Sequence, residues 1–247
     1  EMDQTQKKVQ IKTVQKLKPP PSTQLTVFHQ NIRKLANKRD RLNHLLHEIF
    51  PDILVLTEHG LTSENLINTT LPRYNLTADF CRKNHDYGGV AIFLKEGFTV
   101  DSDPQFFHDK SEELICEIAV GTFKINKCQL HIVGIYRPLQ GNLKEGLQII
   151  SNILEDIKPH KNRILLIGDI NIDNLAKNNA NDRLEETLAL HDIKRLSIPS
   201  SRVTQHTASS IDCVCTNFPS DNIKVDTLNT GLSDHKGQLC ALQLTTN

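Results

Sequence analysis

The spacing of apolar residues divides the chain into runs of two kinds. Eight runs are apolar without helical spacing and predict strands: LTVFHQNI (25–32), ILVLTE (53–58), GGVAIFL (88–94), LICEIAV (114–120), CQLHIVGIYRP (128–138), ILLIGDIN (164–171), IDCVCTN (211–217) and GQLCALQL (237–244). Three others place apolar residues on one helical face. Lys38–Phe50 carries Leu42, Leu45, Leu46 and Ile49 and is ended by Pro51. Leu143–Ile157 carries Leu147, Ile150, Ile153, Leu154 and Ile157, and Asn181–His191 carries Leu184 and Leu188. Several strands are apolar on both faces, so their sheets are covered on both sides. Helices alternate with strands early and the second half is strand-rich, which predicts a layered α/β fold. The pattern alone leaves open whether there is one sheet or two.

Residues 1–24 break this pattern. They are polar and lysine-rich, end near Pro19-Pro20-Pro21, and read as a basic tail or linker before a folded unit at 25–247. The chain opens on Glu1, which suits a piece of a longer polyprotein or a processed product. At 247 residues with 38% hydrophobic content, the chain can bury a sizeable core. It shows no signal peptide and no apolar run long enough to span a membrane, so a nuclear or cytoplasmic location is expected. Lysine and arginine number 29, balanced by 29 acids; this argues mildly against tight non-specific binding to nucleic acid, although the cations can still cluster on one face. The six cysteines form no CxxC pair, most fall in strand-like runs, and buried free thiols are expected rather than zinc ligands.

Chemistry enters at the strand ends. Apolar runs close on amides or acids: Asn31, Glu58, then Asp169 and Asn171. Side chains at strand ends lie at a sheet edge where loops converge, and their oxygens are hard ligands suited to Mg²⁺. Glu58 alone also reads as a solvated loop acid or a neighbour of a helix cap. In GDIN, Gly168 permits a tight turn, and Asp169 and Asn171, two apart, point the same way if extended. The acid can take a proton from water and the amide can donate to a phosphate oxygen; an Asx-turn closing the strand is the plainer alternative. Ser233-Asp234-His235 puts an acid and a titratable imidazole in one polar loop. Neighbours on a strand face opposite ways, so a distant carboxylate should orient His235. Asp212, inside the apolar IDCVC run, is the candidate, with a buried structural ion pair as its alternative. Tyr136 at a strand end can donate to a phosphate or sit at the edge of the core, and Arg137 could pair with an acid.

Taken in order, QNI, ILVLTE, GGVAIF, IYRP, LLIGDIN, SRVTQHTASSID and LSDHKGQL resemble the endonuclease/exonuclease/phosphatase superfamily across about 25–244. More closely, they resemble the apurinic-type endonuclease domain of non-LTR retrotransposons and genes derived from them. The resemblance implies a four-layer αββα sandwich of two packed mixed sheets. It implies Mg²⁺ (or Mn²⁺) held by Glu58 and Asn31 with Asp234 supporting the metal side. Asp169 would position or deprotonate water, Asn171 and Tyr136 would donate to the phosphate, and His235, oriented by Asp212, would stabilise the developing charge. Thr204 resembles a further phosphate contact. Cellular abasic-site repair enzymes usually carry an Asp two residues after the first Asn; Arg33 stands here, which favours the retrotransposon branch. The brief Thr204–Asp212 stretch predicts weak sequence selectivity. The implied activity is a monomeric DNA endonuclease with no membrane role, nicking a phosphodiester with water, and partnered by a reverse transcriptase domain in a longer polyprotein. The alternatives are a phosphatase or an RNA or lipid phosphodiesterase of the same superfamily, and a domesticated non-catalytic DNA-binding or interaction module. With no Trp and only three Tyr, the chain offers no aromatic-rich loop to face a membrane.

Overall fold

The computed structural model describes residues 24–98, 107, 109–125, 128–203 and 208–244, with the side chains of Ile125, Cys128 and Val203 left out. The expected tail, but for Gln24, and Thr204 lie outside the described residues.

Two mixed sheets carry the fold. The first has six strands in the order β12 (Ile223–Leu228), β13 (Gly237–Gln243), β1 (Gln24–Asn31), β2 (Ile53–Thr57), β4 (Val90–Lys95), β3 (Tyr74–Phe80). The second has five: β5 (Glu117–Ile125), β6 (Cys128–Tyr136), β7 (Arg163–Asp169), β11 (Asp212–Thr216), β8 (Lys194–Arg195). A small ribbon pairs β9 (Arg202–Val203) with β10 (Ala208–Ser209). Within each sheet one parallel pair is joined by a crossover helix: α1 (Arg39–Ile49) connects β1 to β2, and α3 (Leu143–Ile157) connects β6 to β7. The other α-helices among the described residues are the short α2 (Ser63–Ile67) and the longer α4 (Asn179–Ala189).

Burial explains the layering. Val27, Val55, Val90 and Ile92 of the first sheet meet Ile132, Leu165, Ile167 and Val214 of the second in a core between the sheets. The opposite faces of the same strands are also apolar. Phe28, Leu54, Leu56 and Phe93 pack on Leu42 and Leu46 of α1, and Val133, Leu166 and Cys213 pack on Ile150, Leu154 and Leu184 of α3 and α4. The result is the expected αββα sandwich, and it answers the question of sheet number: there are two, back to back.

Local signals set the ends of the helices. Asn142 caps α3 by accepting from the amides of Lys144 and Glu145, and Lys158 closes it in the left-handed region. Phe50, at φ +41°, turns the chain out of α1 before Pro51. Gly168 does not make the expected turn. It lies inside β7, where a Cβ would sit 1.9 Å from the Ile135 carbonyl oxygen, so its role is close approach of β6 and β7. The expected strand at 114–120 begins later, at Glu117, and runs through Gly121 to Ile125 because β6 pairs along that whole length. β3, β12, α2 and the two-residue strands have no counterpart among the expected elements. β12 alternates half-exposed and exposed positions on a sheet edge, and β3 is an edge strand broken by a register shift at Leu76–Ala78, so neither contains an apolar run. No described helix is long and apolar enough to cross a membrane. The described cysteines Cys81, Cys116, Cys213, Cys215 and Cys240 are buried free thiols.

Candidate active site

β1, β2, β6 and β7 all run toward the same end of the sandwich. The parallel registers bring Asn31 opposite Thr57 and Tyr136 opposite Asp169, while β11 sets Asp212 across from Asp169. Asn31 ties the two sheets together: its amide nitrogen donates to Glu58 Oε1 and to Asp169 Oδ2, both at 2.8 Å. Its amide oxygen accepts from the Arg33 N–H at 3.2 Å. His235 enters from the loop before β13. Its Nδ1 is 2.9 Å from Asp212 Oδ2, and its Nε2 is 4.0 Å from Asp169 Oδ2, with no hydrogen-bond partner among the described residues. Glu58 holds φ of +52°, a strained value for its side chain, and Asn171, at +51°, takes the left-handed turn that Asn tolerates, its N–H on Asp169 Oδ1 at 3.0 Å. Glu58, Asp169, Asn171 and His235 line an open cleft of about 430 Å³ with Tyr136, Arg33, Lys34 and Arg202, while Asn31 and Asp212 lie buried behind it.

The electrostatics follow from crowding acids in a buried place. Burial, then the charge of Asp212 and, more weakly, of Glu58, lift Asp169 to about 7; His235 and the Asn171 N–H offset only part of this. His235 is pulled down by burial but raised overall by the hydrogen bond and charge of Asp212, then by Asp169 and Asp234. Burial, Glu58 and Asp169 push the Tyr136 hydroxyl up, so it stays a protonated donor at neutral pH. Burial raises Asp234, but the Arg202 hydrogen bond, then Arg33, hold it below the usual carboxylate range.

A hard divalent cation fits these residues. Glu58 and Asp169 converge on a single amide nitrogen, and the uncompensated charge at Asp169 is the kind that a cation relieves. Asp169, Asp212 and His235 also offer ligand atoms within 4.8 Å of one another, yet the Asp212–His235 hydrogen bond accounts for two of the three without a metal.

The structure therefore brings Asn31, Glu58, Tyr136, Asp169, Asn171, Asp212 and His235 to one end of the sandwich. Asn171 lines the cleft while its Nδ2 donates to the Arg137 carbonyl at 2.9 Å. Asp234 is set to the side, between Arg33 and Arg202. Among the described residues Arg137 pairs with no acid; its guanidinium donates to the carbonyls of Ile170 and Gly141 at 3.0 and 2.9 Å and so braces the GDIN loop.

Sequence reasoning missed Arg202, Lys34 and a buried pair behind the site. Glu117 accepts from Arg82 Nε and the Gly89 N–H, both at 2.6 Å, and the Gly89 carbonyl accepts the Glu58 N–H at 2.9 Å. An acid inside the apolar LICEIAV run was the available signal for Glu117.

Residues 28–235 match the model of the Endonuclease/Exonuclease/phosphatase family, and the chain belongs to that family. Among solved structures, it is similar to the endonuclease domain of TRAS1, a telomere-specific non-LTR retrotransposon, at 15% identity and a TM-score of 0.71, covering 90% of this chain and 100% of that one. It is also similar to the AP endonuclease LMAP from Leishmania major, at 13% identity and a TM-score of 0.67, covering 91% and 89%. TDP2 from D. rerio complexed with a single-strand DNA product gives 13% identity and a TM-score of 0.63, covering 89% and 99%. At these identities the likeness is one of fold. No curated protein matches the chain in sequence.

Proposed function

We propose that this chain is a Mg²⁺-dependent phosphodiesterase that nicks DNA with water as the nucleophile, in the manner of a retrotransposon endonuclease. The observation that carries the reading is the single Asn31 amide bridging Glu58 and Asp169 from two sheets, with the His235 Nε2 open beside them. Glu58, with Asn31 beside it, would hold the cation, which would supply Lewis-acid polarisation of the phosphate and charge neutralisation.

The chain's own groups do the rest. Asp169 is buried at the end of β7, opposite Asp212 and 4.0 Å from His235 Nε2, which suits a group that orients a water and accepts its proton. His235, favoured as imidazolium and held by Asp212, stabilises the charge that develops on the phosphate. Tyr136 and Asn171 line the same cleft as phosphate donors. The nick leaves a 3′-hydroxyl, the end that a reverse transcriptase domain in a longer polyprotein would extend. A nuclear or cytoplasmic location accords with the described buried free thiols.

The test is nicking of supercoiled plasmid by wild type with Mg²⁺ and with EDTA. Conversion to open circle with Mg²⁺ alone is expected. Intact supercoil under both conditions, with release of inorganic phosphate from a 3′-phosphorylated oligonucleotide instead, would replace the nuclease reading with a phosphatase one.

A further inference from the structure

Asp234 is expected from sequence on the metal side, but each of its carboxylate oxygens faces an arginine. Oδ1 lies 2.7 Å from Arg33 Nη1, and Oδ2 accepts from Arg202 Nε at 2.8 Å. A carboxylate between two guanidiniums is a poor ligand for a divalent cation, because both neighbours repel the ion at short range.

The two arginines are held at their bases. Arg33 and Lys34 sit consecutively in the left-handed region, at φ +42° and +69°, a strained arrangement that persists only where the surroundings enforce it. They do so here: Lys38 Nζ donates to the carbonyls of Ile32 and Arg33 at 2.6 and 2.8 Å, and Lys34 N–H donates to the Glu58 carbonyl at 2.8 Å. Arg202 is fixed by an antiparallel bridge to His235 and by the Lys236 N–H on the Ser201 carbonyl at 2.7 Å. Beyond these anchors the side chains remain 40% and 33% exposed and line the cleft with Glu58, Asn171 and His235. Two guanidiniums sharing one carboxylate leave one positive charge over, and planar guanidinium forks match phosphate oxygens.

We propose that Asp234 is a positioning residue that aims Arg33 and Arg202, as a two-arginine fork, at a phosphate of the substrate strand adjacent to the one being cut. This rests on the phosphodiesterase reading above and narrows it: the preferred substrate carries at least two neighbouring phosphates, as a nucleic-acid strand does and an isolated phosphodiester does not.

The probe is a fluorescein-labelled duplex oligonucleotide, bound in EDTA over a series of KCl concentrations and followed by anisotropy. Arg33→Gln and Arg202→Gln should each weaken binding severalfold and flatten the slope of log K against log salt, by roughly 0.9 for each phosphate that is no longer neutralised. Asp234→Asn should also weaken binding, although it removes a negative charge from the cleft, and should leave the rise in Tm with Mg²⁺ intact. Tighter binding by Asp234→Asn, unchanged slopes in the arginine variants, no binding by wild type, or loss of the Mg²⁺ response in Asp234→Asn would each overturn the proposal. Binding is read without metal or turnover, so failure of wild type to nick plasmid would count against the phosphodiesterase reading separately.

Discussion

Asp169 and Asp212 face each other as direct cross-strand partners on β7 and β11, yet only Asp212 is hydrogen-bonded to His235, at 2.9 Å. Two buried like charges side by side destabilise a sheet unless cations or hydrogen-bond donors answer them. The imidazole answers Asp212, and the Asn31 amide and the Asn171 N–H answer Asp169.

The pair supports a double-variant test. His235→Ala should lower plasmid nicking by about 10²–10³-fold and destabilise the fold by roughly 1–3 kcal/mol, because Asp212 is left buried without its partner. Asp212→Asn in the His235→Ala background should recover much of the stability in urea unfolding and none of the nicking. Recovery of both would make the pair purely structural.

Metal binding should register in stability before any turnover is measured. Mg²⁺ should raise the Tm of wild type by mass action, and Glu58→Gln should abolish most of that rise while unfolding normally in EDTA. An equal rise in the variant would remove Glu58 from the ligand set.

The Glu117–Arg82 pair is 0% and 7% exposed and holds Gly89, whose carbonyl in turn accepts the Glu58 N–H. Glu117→Ala leaves the guanidinium buried without a counter-charge and should cost about 3–5 kcal/mol. Glu117→Gln, able to keep part of the hydrogen bonding, should fold more stably than the alanine variant. It should still show weaker Mg²⁺ binding through the displaced Glu58 backbone.

Three buried histidines weaken the fold as pH falls. Burial lowers His29 below its ordinary value of 6.5 and takes His59 and His131 to about 4. The folded state prefers all three neutral, so their contribution is present above pH 6.5 and is lost as pH falls toward 4. Asp169, lifted to about 7, works the other way over the same window, because the folded state takes up its proton first. His59→Gln removes one of these opposed contributions, so between pH 6.5 and 4 its Tm should fall less, or rise more, than that of wild type. Identical pH profiles for the two proteins would contradict the assignment of His59.

At Gly168 a Cβ would collide with backbone, the Ile135 carbonyl, which no rotamer change relieves. Gly168→Ala should therefore destabilise the protein by about 3 kcal/mol or more, measured as a fall in the urea midpoint. Wild-type stability would show that β6 and β7 separate freely at this point.

Much of this protein was legible along the chain. α3 spans Leu143–Ile157 in pattern and in structure, because its apolar stripe is long and Asn142 caps it. The family and the seven residues of the cluster followed from motif order, since strand-end residues converge wherever parallel strands share a sheet end. Half-exposed edge strands such as β12 left no such trace, because solvent on one side removes the apolar run.

Tertiary structure alone decided which partner each charge takes. Arg33, Arg202 and Asp234 meet from three segments far apart in sequence, and Arg82 and Glu117 from two others. Periodicity reports the neighbours of a residue within its own element. The pairing of charges depends on how separate elements cross, and that is set by the packing of the two sheets.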